Sequence, residues 1–337
     1  MWSEDQITFL CRIVRDEDVA GIRDWQDPRK NMRYAFINTL TSEAKNDDRI
    51  MLLTGDLGFT VFEKFRDRLP RQFINVGVAE QNMMGVAAGL ALTGKIVFAY
   101  SIATFATMRP FEQIRNDIAS HNASVIVVGT GAGLSYGHAS ITHHAQEDIA
   151  LMRTIPGMTV LCPADPIEAA WATREAIKLR RPIYLRLGMK GEPLLYGQEP
   201  KLTVGQGSIL TRGNRVAVLA CGNIVHTALA AASLLAKHRI HPTVVSMHTL
   251  KPFDAQLVET LAASHTLIVT GEEHSVIGGL GSAVAEVLAE AKHSGTRLLR
   301  LGIPDRFIFE KGSQAYLRDI VGLSPEKIAG AVKKHYD

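Results

Sequence analysis

Glu80 stands where an apolar stretch of the sequence changes from strand-like to helix-like spacing. Before it, Phe73, Ile74, Val76 and Val78 are typical of a buried strand, and after it apolar residues recur at helical spacing. The carboxylate is therefore expected in the first turn of a helix at the carboxyl edge of a sheet, where α/β proteins bind ligands. Its apolar flanks predict a low dielectric, in which a carboxylate can share a proton. The structural alternative is a glutamate that only complements the helix dipole.

A histidine-rich segment further along the chain could also do chemistry. It contains His138, His143, His144 and Glu147. An imidazole titrates near neutral pH and can move a proton at a substrate. The same side chains could instead bind a metal ion, although their spacing lacks the i, i+4 pattern of a helical metal site. His144 could also orient His143 or cap the helix that follows.

The sequence around Glu80 resembles the pyrimidine-binding domain of thiamine-diphosphate enzymes of the transketolase family. The resemblance rests on Val78-Ala-Glu-Gln-Asn82 followed by a helix rich in Gly and Ala. It implies that Glu80 binds the cofactor at N1′ of its aminopyrimidine and favours the imino tautomer that activates the thiazolium. Glu80 is then both a catalytic and a cofactor-binding residue, and thiamine diphosphate carries the carbanion chemistry.

The resemblance also implies an aromatic residue against the aminopyrimidine ring, and Phe105 falls at that position. Met108 and Phe111 are expected to line the same pocket. Asp56 matches an acidic residue that the family places near the cofactor, at the end of the first strand. The alternatives are an ordinary core phenylalanine and an aspartate that caps a helix or forms a turn.

Arg109 and Arg115 lie in the same run of residues and fit the family pattern, but surface salt bridges would explain them equally well.

His143 aligns with the catalytic histidine of the family, which faces the substrate oxygen. His138 and His144 are expected to contact substrate beside it. Arg186 matches the family's phosphate-binding arginine, and a guanidinium can bind phosphate or carboxylate through two hydrogen bonds.

Two positions depart from the family pattern. Ala139 stands where members that act on sugar phosphates have an aspartate, and Gly131 stands where transketolases have a phosphate-contacting histidine. The substrate is therefore expected to be a small anionic molecule other than an ordinary ketose phosphate.

These residues are positioned by alternating strands and helices, which predict an α/β fold of two domains with mainly parallel sheets covered by helices. Residues 1–30 form an N-terminal extension, 31–190 the pyrimidine-binding domain, and 191–206 a linker. Residues 207–337 resemble the C-terminal domain of the transketolase family, including the run Thr249–Phe253. The expected strands are Ile50–Thr54, Ile96–Tyr100, Ser124–Val128, Met158–Cys162, Pro182–Arg186, Val216–Ala220, Pro242–Ser246 and Thr266–Thr270.

The composition is ordinary for a globular protein. Net charge is +3 over 337 residues, which gives no reason to expect a nucleic-acid partner. No apolar run reaches membrane-spanning length, so no membrane association is expected. Cys11, Cys162 and Cys221 match no zinc or disulfide spacing, which favours a reducing cytoplasm.

The diphosphate-binding domain of full-length transketolases has no counterpart here. Its Gly-Asp-Gly motif with a downstream Asn is absent, and Gly55–Gly58 lies in the wrong context. A separate N-terminal transketolase subunit is therefore expected to hold the diphosphate and its Mg²⁺ or Ca²⁺, and no metal ligand is assigned to this chain. The resemblance implies an α2β2 assembly.

The leading hypothesis is the small subunit of a two-component enzyme that transfers a ketol or related acyl-anion unit to an aldehyde-type acceptor. A second hypothesis is the β subunit of a 2-oxoacid dehydrogenase E1. A third, from another class, is a non-catalytic regulatory or interaction module with the same fold.

Overall fold

The structure, a computed structural model, describes residues 31–189, 191–197, 199–291 and 295–336. The predicted N-terminal extension, residues 1–30, lies outside the described residues. Numbered along the chain, the strands are β1 (Ile50–Thr54), β2 (Phe73–Asn75), β3 (Ile96–Ile102), β4 (Val125–Thr130), β5 (Thr159–Leu161), β6 (Ile183–Leu187), β7 (Ser208–Thr211), β8 (Arg215–Cys221), β9 (Thr243–Ser246), β10 (Thr249–Lys251), β11 (His265–Ser275) and β12 (Arg297–Ile303).

Two sheets contain these strands. The first has seven strands in the order β10-β5-β6-β4-β3-β1-β2, and the second has five in the order β12-β11-β8-β9-β7. Among these described strands, only β10 and β7 pair antiparallel with their neighbours. The prediction of an α/β fold with mainly parallel sheets is therefore confirmed.

Helices cover both sheets. The longer ones are Met32–Ala44, Glu80–Leu92, Pro166–Leu179, Val225–Ala236, Ala255–Ser264, Leu280–Glu290 and Pro325–Tyr336, and the shorter ones are Glu63–Arg68, Ala103–Thr107, Phe111–Gln113, Asp148–Thr154 and Gln314–Ile320. A wider π turn, Ile114–Ala119, continues the helix at Phe111, and 3-10 turns span Pro70–Gln72, Gly137–Thr142 and Gly222–Ile224.

Local chemistry explains the best-defined helix, Pro166–Leu179. The Asp165 side chain accepts the backbone N–H of Glu168 at 2.7 Å, and Pro166 occupies the first helical position, where its missing N–H costs nothing. The helix ends where Arg180 adopts a left-handed conformation with φ of 47°. Both the start and the end of this helix therefore have a local cause in the sequence.

Side chains alternate between the two faces of the first sheet, and each face packs against its own hydrophobic cluster. In β1, Met51 and Leu53 face one cluster, and Ile50 and Leu52 face another. The first of these clusters also contains Leu219 and other residues of the second sheet. The two sheets therefore share one continuous hydrophobic core.

One element differs from its sequence-based prediction, and another pairs with a strand from the other half of the chain. The strand before Glu80 is only Phe73–Asn75, at the edge of its sheet, and Val78 is 72% exposed. The strand Thr249–Lys251 follows β9 of the second sheet in the chain but pairs with β5 of the first. The division between the sheets therefore does not coincide with a single point in the chain.

Candidate functional site

Glu80 lies at the first position of the helix Glu80–Leu92 and is 3% exposed. Its Oε2 accepts a hydrogen bond from Arg109 Nη1 at 3.0 Å, and its Oε1 accepts one from Ser101 Oγ at 3.2 Å. The helix has no side-chain cap, so its first N–H groups and its dipole favour an anion at this end. The carboxylate is thus buried, hydrogen-bonded and placed at the carboxyl edge of the first sheet.

Arg109 links Glu80 to the aromatic part of the site. Its guanidinium carbon lies 4.2 Å from the centroid of the Phe105 ring, within the range of a cation–π interaction. Its side chain is 49% exposed, whereas that of Glu80 is 2% exposed. Arg109 and the run Val78–Asn82 line a cavity of about 410 Å³ in front of the carboxylate.

His143 lies on the other side of Phe105. Their ring centroids are 5.1 Å apart at 68°, and the Tyr136 ring approaches the imidazole at 5.5 Å and 61°. His143 Nδ1 is 2.8 Å from Thr142 Oγ1, and this hydrogen bond orients the ring. The site is therefore one row of contacts that runs from Glu80 through Arg109 and Phe105 to His143.

The electrostatic surroundings keep His143 neutral at pH 7. Burial lowers its pKa below the ordinary 6.5, and the positive charge of Arg109, together with that of His144 whenever it is protonated, acts in the same direction. A neutral imidazole held between two aromatic rings can accept a proton from a bound molecule and return it.

The remaining cofactor candidates lie near this row. Gly55, next to Asp56, borders the Glu80 carboxylate, because a Cβ built on Gly55 would lie 3.7 Å from Glu80 Oε1. Asp56 itself has φ of 59° and exchanges hydrogen bonds of 3.0 Å with Asn75. Met108 is exposed, and Phe111 is half-buried and packs against the core.

His138 is exposed and lines a second cavity, of about 370 Å³. The other lining residues come from both halves of the chain: Ser135–Gly137, Ala139, Met189 and Gly312–Gln314. Gly131, with φ of 81°, lies close by, and a Cβ at that position would overlap the Tyr136 ring. Tyr136 therefore fills the space that a side chain at position 131 would need.

His144 does not reach either cavity. It is 1% exposed, beside the backbone of Gly137 and Ile308, and burial lowers its pKa. Neither ring nitrogen makes a hydrogen bond with the described residues. His144 is thus enclosed in this structure, and the expectation that it contacts substrate stays a prediction.

Arg186 is also enclosed in the protein. It is 1% exposed, and its Nε and Nη2 donate to the two oxygens of Asp148 at 2.6 and 3.1 Å. Burial alone would favour the protonated acid, but the charge and hydrogen bonds of Arg186 outweigh it, so the pKa of Asp148 lies below its ordinary value. The guanidinium is thus committed to Asp148 except at Nη1, which has no hydrogen-bond partner among the described residues, and the expected role of Arg186 in binding substrate stays a prediction.

Two further features bear on the earlier alternatives. Among the described residues, no group of three or more His, Cys, Asp or Glu side chains could hold a metal ion, so a metal site at His138, His143, His144 and Glu147 finds no support. Over the same residues, none of the helices has both the length and the apolar character needed to cross a membrane.

Some residues of the site were missed or left open by the sequence. Ser101 had a usable signal, because it lies near the carboxyl end of β3, where ligand-facing residues of a parallel sheet gather. For Arg109 the sequence did not decide between a pocket residue and a residue in a surface salt bridge. Tyr136 had no signal of its own, since its contact with His143 depends on the backbone turn at Gly131.

Comparison with known proteins identifies the family of this chain. Residues 29–190 match the family model "Transketolase, pyrimidine binding domain", and residues 205–328 match "Transketolase, C-terminal domain". The chain is 38% identical over 301 residues to the 6-deoxy-6-sulfo-D-fructose transketolase subunit SqwH of Clostridium sp. (strain MSTE9), covering 89% of this chain and 92% of that one. It is 34% identical over 287 residues to a subunit of the apulose-4-phosphate transketolase of Phocaeicola vulgatus, covering 83% of this chain and 90% of that one.

A solved structure, described as "Split gene transketolase, inactive beta4 tetramer", superposes with a TM-score of 0.81 at 38% identity. The match covers 90% of this chain and 97% of that one. The likeness therefore extends over both halves of the chain.

Proposed function

Because this chain belongs to the transketolase family and matches split C-terminal subunits over almost its whole length, we propose that it is the small subunit of a two-component thiamine-diphosphate-dependent transferase. The enzyme moves a ketol or related acyl-anion unit to an aldehyde-type acceptor. The domain bounds proposed from the sequence are kept, with residues 31–190 binding the pyrimidine. The cysteine usage supports a cytoplasmic location.

One observation carries this proposal: the buried Glu80 carboxylate borders an open cavity, and Arg109 links it to the Phe105 ring, which contacts the His143 imidazole. A non-catalytic module would have no need for a buried carboxylate at the start of an uncapped helix, facing a cavity.

The side chains of this site fit the aminopyrimidine half of the cofactor. Glu80 would hold the ring at N1′ and share a proton there, and Phe105 would stack against its face. Asp56, Met108 and Phe111 would border the ring. When bound, thiamine diphosphate supplies a carbanion equivalent at C2 of its thiazolium. His143 would then hold or move a proton at the substrate oxygen.

The diphosphate half needs a partner. The described residues offer no cluster of acidic side chains for Mg²⁺ or Ca²⁺, and the family places that metal on another domain. We therefore propose that an N-terminal transketolase subunit completes the site in an α2β2 assembly. The split-gene relative described as an inactive β4 tetramer supports the need for a second kind of chain.

The substrate is proposed to be a molecule other than an ordinary ketose phosphate. Ala139 and Gly131 provide neither hydroxyl recognition nor a phosphate contact, and Tyr136 fills the space above Gly131. Arg186 is enclosed, whereas Arg109 and His138 stay accessible and would contact an anionic substrate. Efficient turnover of fructose 6-phosphate or xylulose 5-phosphate would contradict this part of the proposal.

Calorimetric titration tests the whole proposal. Thiamine diphosphate with Mg²⁺ is added to the purified chain, with and without the candidate large subunit. Binding only in the presence of the large subunit is the expected result. Tight binding to this chain alone would contradict a site built between two subunits, and an absence of binding in both titrations would favour the non-catalytic module.

A further inference from the structure

The segment that carries His143 is held by the C-terminal half of the chain. We propose that Glu273 is a positioning residue, which fixes the His143 segment, residues 133–147, in the geometry that proton transfer requires. The inference rests on the proposed function for the role of His143, and it gives the C-terminal domain a part in the reaction.

Glu273 is 0% exposed and lies in β11. Its Oε1 accepts the backbone N–H of Leu134 at 2.6 Å and Gln314 Nε2 at 2.8 Å, and its Oε2 pairs with Arg318. Its backbone carbonyl also accepts Arg186 Nη2 at 3.1 Å. A single buried carboxylate thus joins the start of the His143 segment to two helical side chains of the C-terminal domain.

The approach of Glu273 leaves no room for a side chain at the facing position of the His143 segment. Gly133 has φ of 61°, and a Cβ at that position would lie 2.5 Å from Glu273 Cγ. Glycine is the residue that tolerates both the backbone conformation and the contact. The Glu273 side chain therefore packs directly on the backbone of the His143 segment.

Further contacts hold the segment along its length. Gln314 Nε2 donates to Ser135 Oγ at 3.0 Å, and the backbone N–H of Ser275 donates to the carbonyl of Gln146 at 2.8 Å. In the middle, Ser140 Oγ donates to the carbonyl of Phe309 at 3.4 Å.

Ser140 transmits this support to the histidine. It has φ of 61°, an unfavourable conformation for a residue other than glycine, which persists only where neighbouring contacts impose it. Its carbonyl accepts the backbone N–H of His143 at 2.9 Å. The position of the imidazole therefore depends on contacts made by the C-terminal domain on both sides of Ser140.

Glu168 provides a matched control. It is also a 0% exposed carboxylate that joins the two halves of the chain, and it accepts three hydrogen bonds, from Ala164 N, Tyr196 Oη and Ser246 Oγ. None of these partners lies in residues 133–147. Comparison of Glu273→Gln with Glu168→Gln therefore separates loss of a buried carboxylate from loss of support for His143.

The first measurement is an NMR titration of the isolated chain with ¹³C-labelled histidine, in which His143→Asn assigns one signal among the 12 histidines. In Glu273→Gln the pKa of His143 is expected to rise toward 6.5, because the loosened segment exposes the ring to water. In Glu168→Gln the titration should match the wild type. An unchanged His143 titration in Glu273→Gln would overturn the inference.

The second measurement is turnover of the reconstituted two-subunit enzyme. Glu273→Gln should lower kcat by roughly ten- to hundredfold with little change in the KM for thiamine diphosphate, because misplacement of about 1 Å can cost a hundredfold. If Glu273→Gln fails to fold, Gln314→Met removes the contacts to Ser135 and Glu273 and should lower kcat in the same way. Equal kcat in the Glu273 and Glu168 variants would contradict the inference.

Failure of the proposed function would look different. Full turnover in His143→Asn would remove the proton-transfer role, whereas the NMR titration would still report whether Glu273 positions the ring.

Discussion

The Arg109 guanidinium contacts both side chains, Glu80 and Phe105, that the aminopyrimidine of the proposed cofactor would contact. Its Nη1 lies 3.0 Å from Glu80 Oε2, and its guanidinium covers the Phe105 ring at 4.2 Å. The side chain is half exposed, so it can swing out into solvent. Binding of the proposed cofactor would therefore compete with a contact inside the protein.

Removal of that contact should strengthen cofactor binding. In Arg109→Met the affinity of the reconstituted enzyme for thiamine diphosphate is expected to rise about fivefold, since an exposed ion pair and cation–π contact together contribute about 1 kcal/mol. Calorimetric titration measures the change. Arg115→Met is the control, because Arg115 is exposed and bonds only to Asn116 among the described residues. Weaker binding in Arg109→Met would instead mean that Arg109 helps to hold the cofactor.

Glu80→Gln should separate binding from turnover. The amide keeps the shape of the side chain but cannot share a proton with N1′, so turnover of the reconstituted enzyme is expected to fall by about 10²- to 10⁴-fold. Glu326→Gln is the control, because Glu326 is also a first-turn carboxylate but is exposed on the helix Pro325–Tyr336. Intact turnover in Glu80→Gln would defeat the proposed activation of the cofactor.

The buried carboxyl group of Glu168 should make the free energy of unfolding depend on pH. Burial raises the pKa of its carboxyl from 4.5 to about 7, so the folded state favours the protonated form. Its contribution is fully present below pH 4.5 and is lost as the pH rises through 7. The free energy of unfolding of the wild type should therefore fall by about 3 kcal/mol relative to Glu168→Gln between acidic and mildly alkaline pH.

Urea denaturation at a series of pH values measures this difference. Burial lowers the pKa of both His226 and His248 to about 4, and their titration destabilises the fold at acid pH in both proteins. That contribution cancels in the comparison. If the free energies of unfolding of the two proteins changed in parallel with pH, ionisation of Glu168 would not lower the stability and this prediction would be wrong.

Gly131→Ala should destabilise the protein by roughly 2 kcal/mol or more, because φ of 81° is unfavourable for alanine and the added Cβ overlaps Tyr136. Gly89→Ala is the control. Gly89 lies inside the helix Glu80–Leu92, where a Cβ would meet nothing within 4 Å, so alanine should be neutral or stabilising. Thermal unfolding measures both, and equal stability of the two variants would contradict the role given to Tyr136.

The sequence predicts the elements of this fold well, because buried parallel strands are uninterrupted apolar runs separated by helices with clear start signals. It fails at the edge of the first sheet. Val76 and Val78 look like the end of a buried strand, but β2 stops at Asn75 and Val78 borders the cavity. An exposed apolar residue that lines a ligand cavity or a partner surface shows the same sequence spacing as an apolar residue in the core.

The sequence singles out Glu80, Phe105 and His143, and the structure places them in one row of contacts, while their roles stay predictions. The enclosure of Arg186 was not predictable, because its partner Asp148 lies 38 residues away in sequence and only the folded chain shows the ion pair. A motif identifies the type of side chain at a position, but burial decides whether it reaches a ligand.

The strand Thr249–Lys251 has a consequence for any attempt to isolate the pyrimidine-binding half. This strand covers the outer edge of β5, and the backbone N–H of Cys162 also donates to the carbonyl of His248 at 2.8 Å. A fragment that stops within residues 191–206 would leave the edge of β5 unpaired. Unpaired edges recruit strands from other chains, so the truncated half would tend to aggregate.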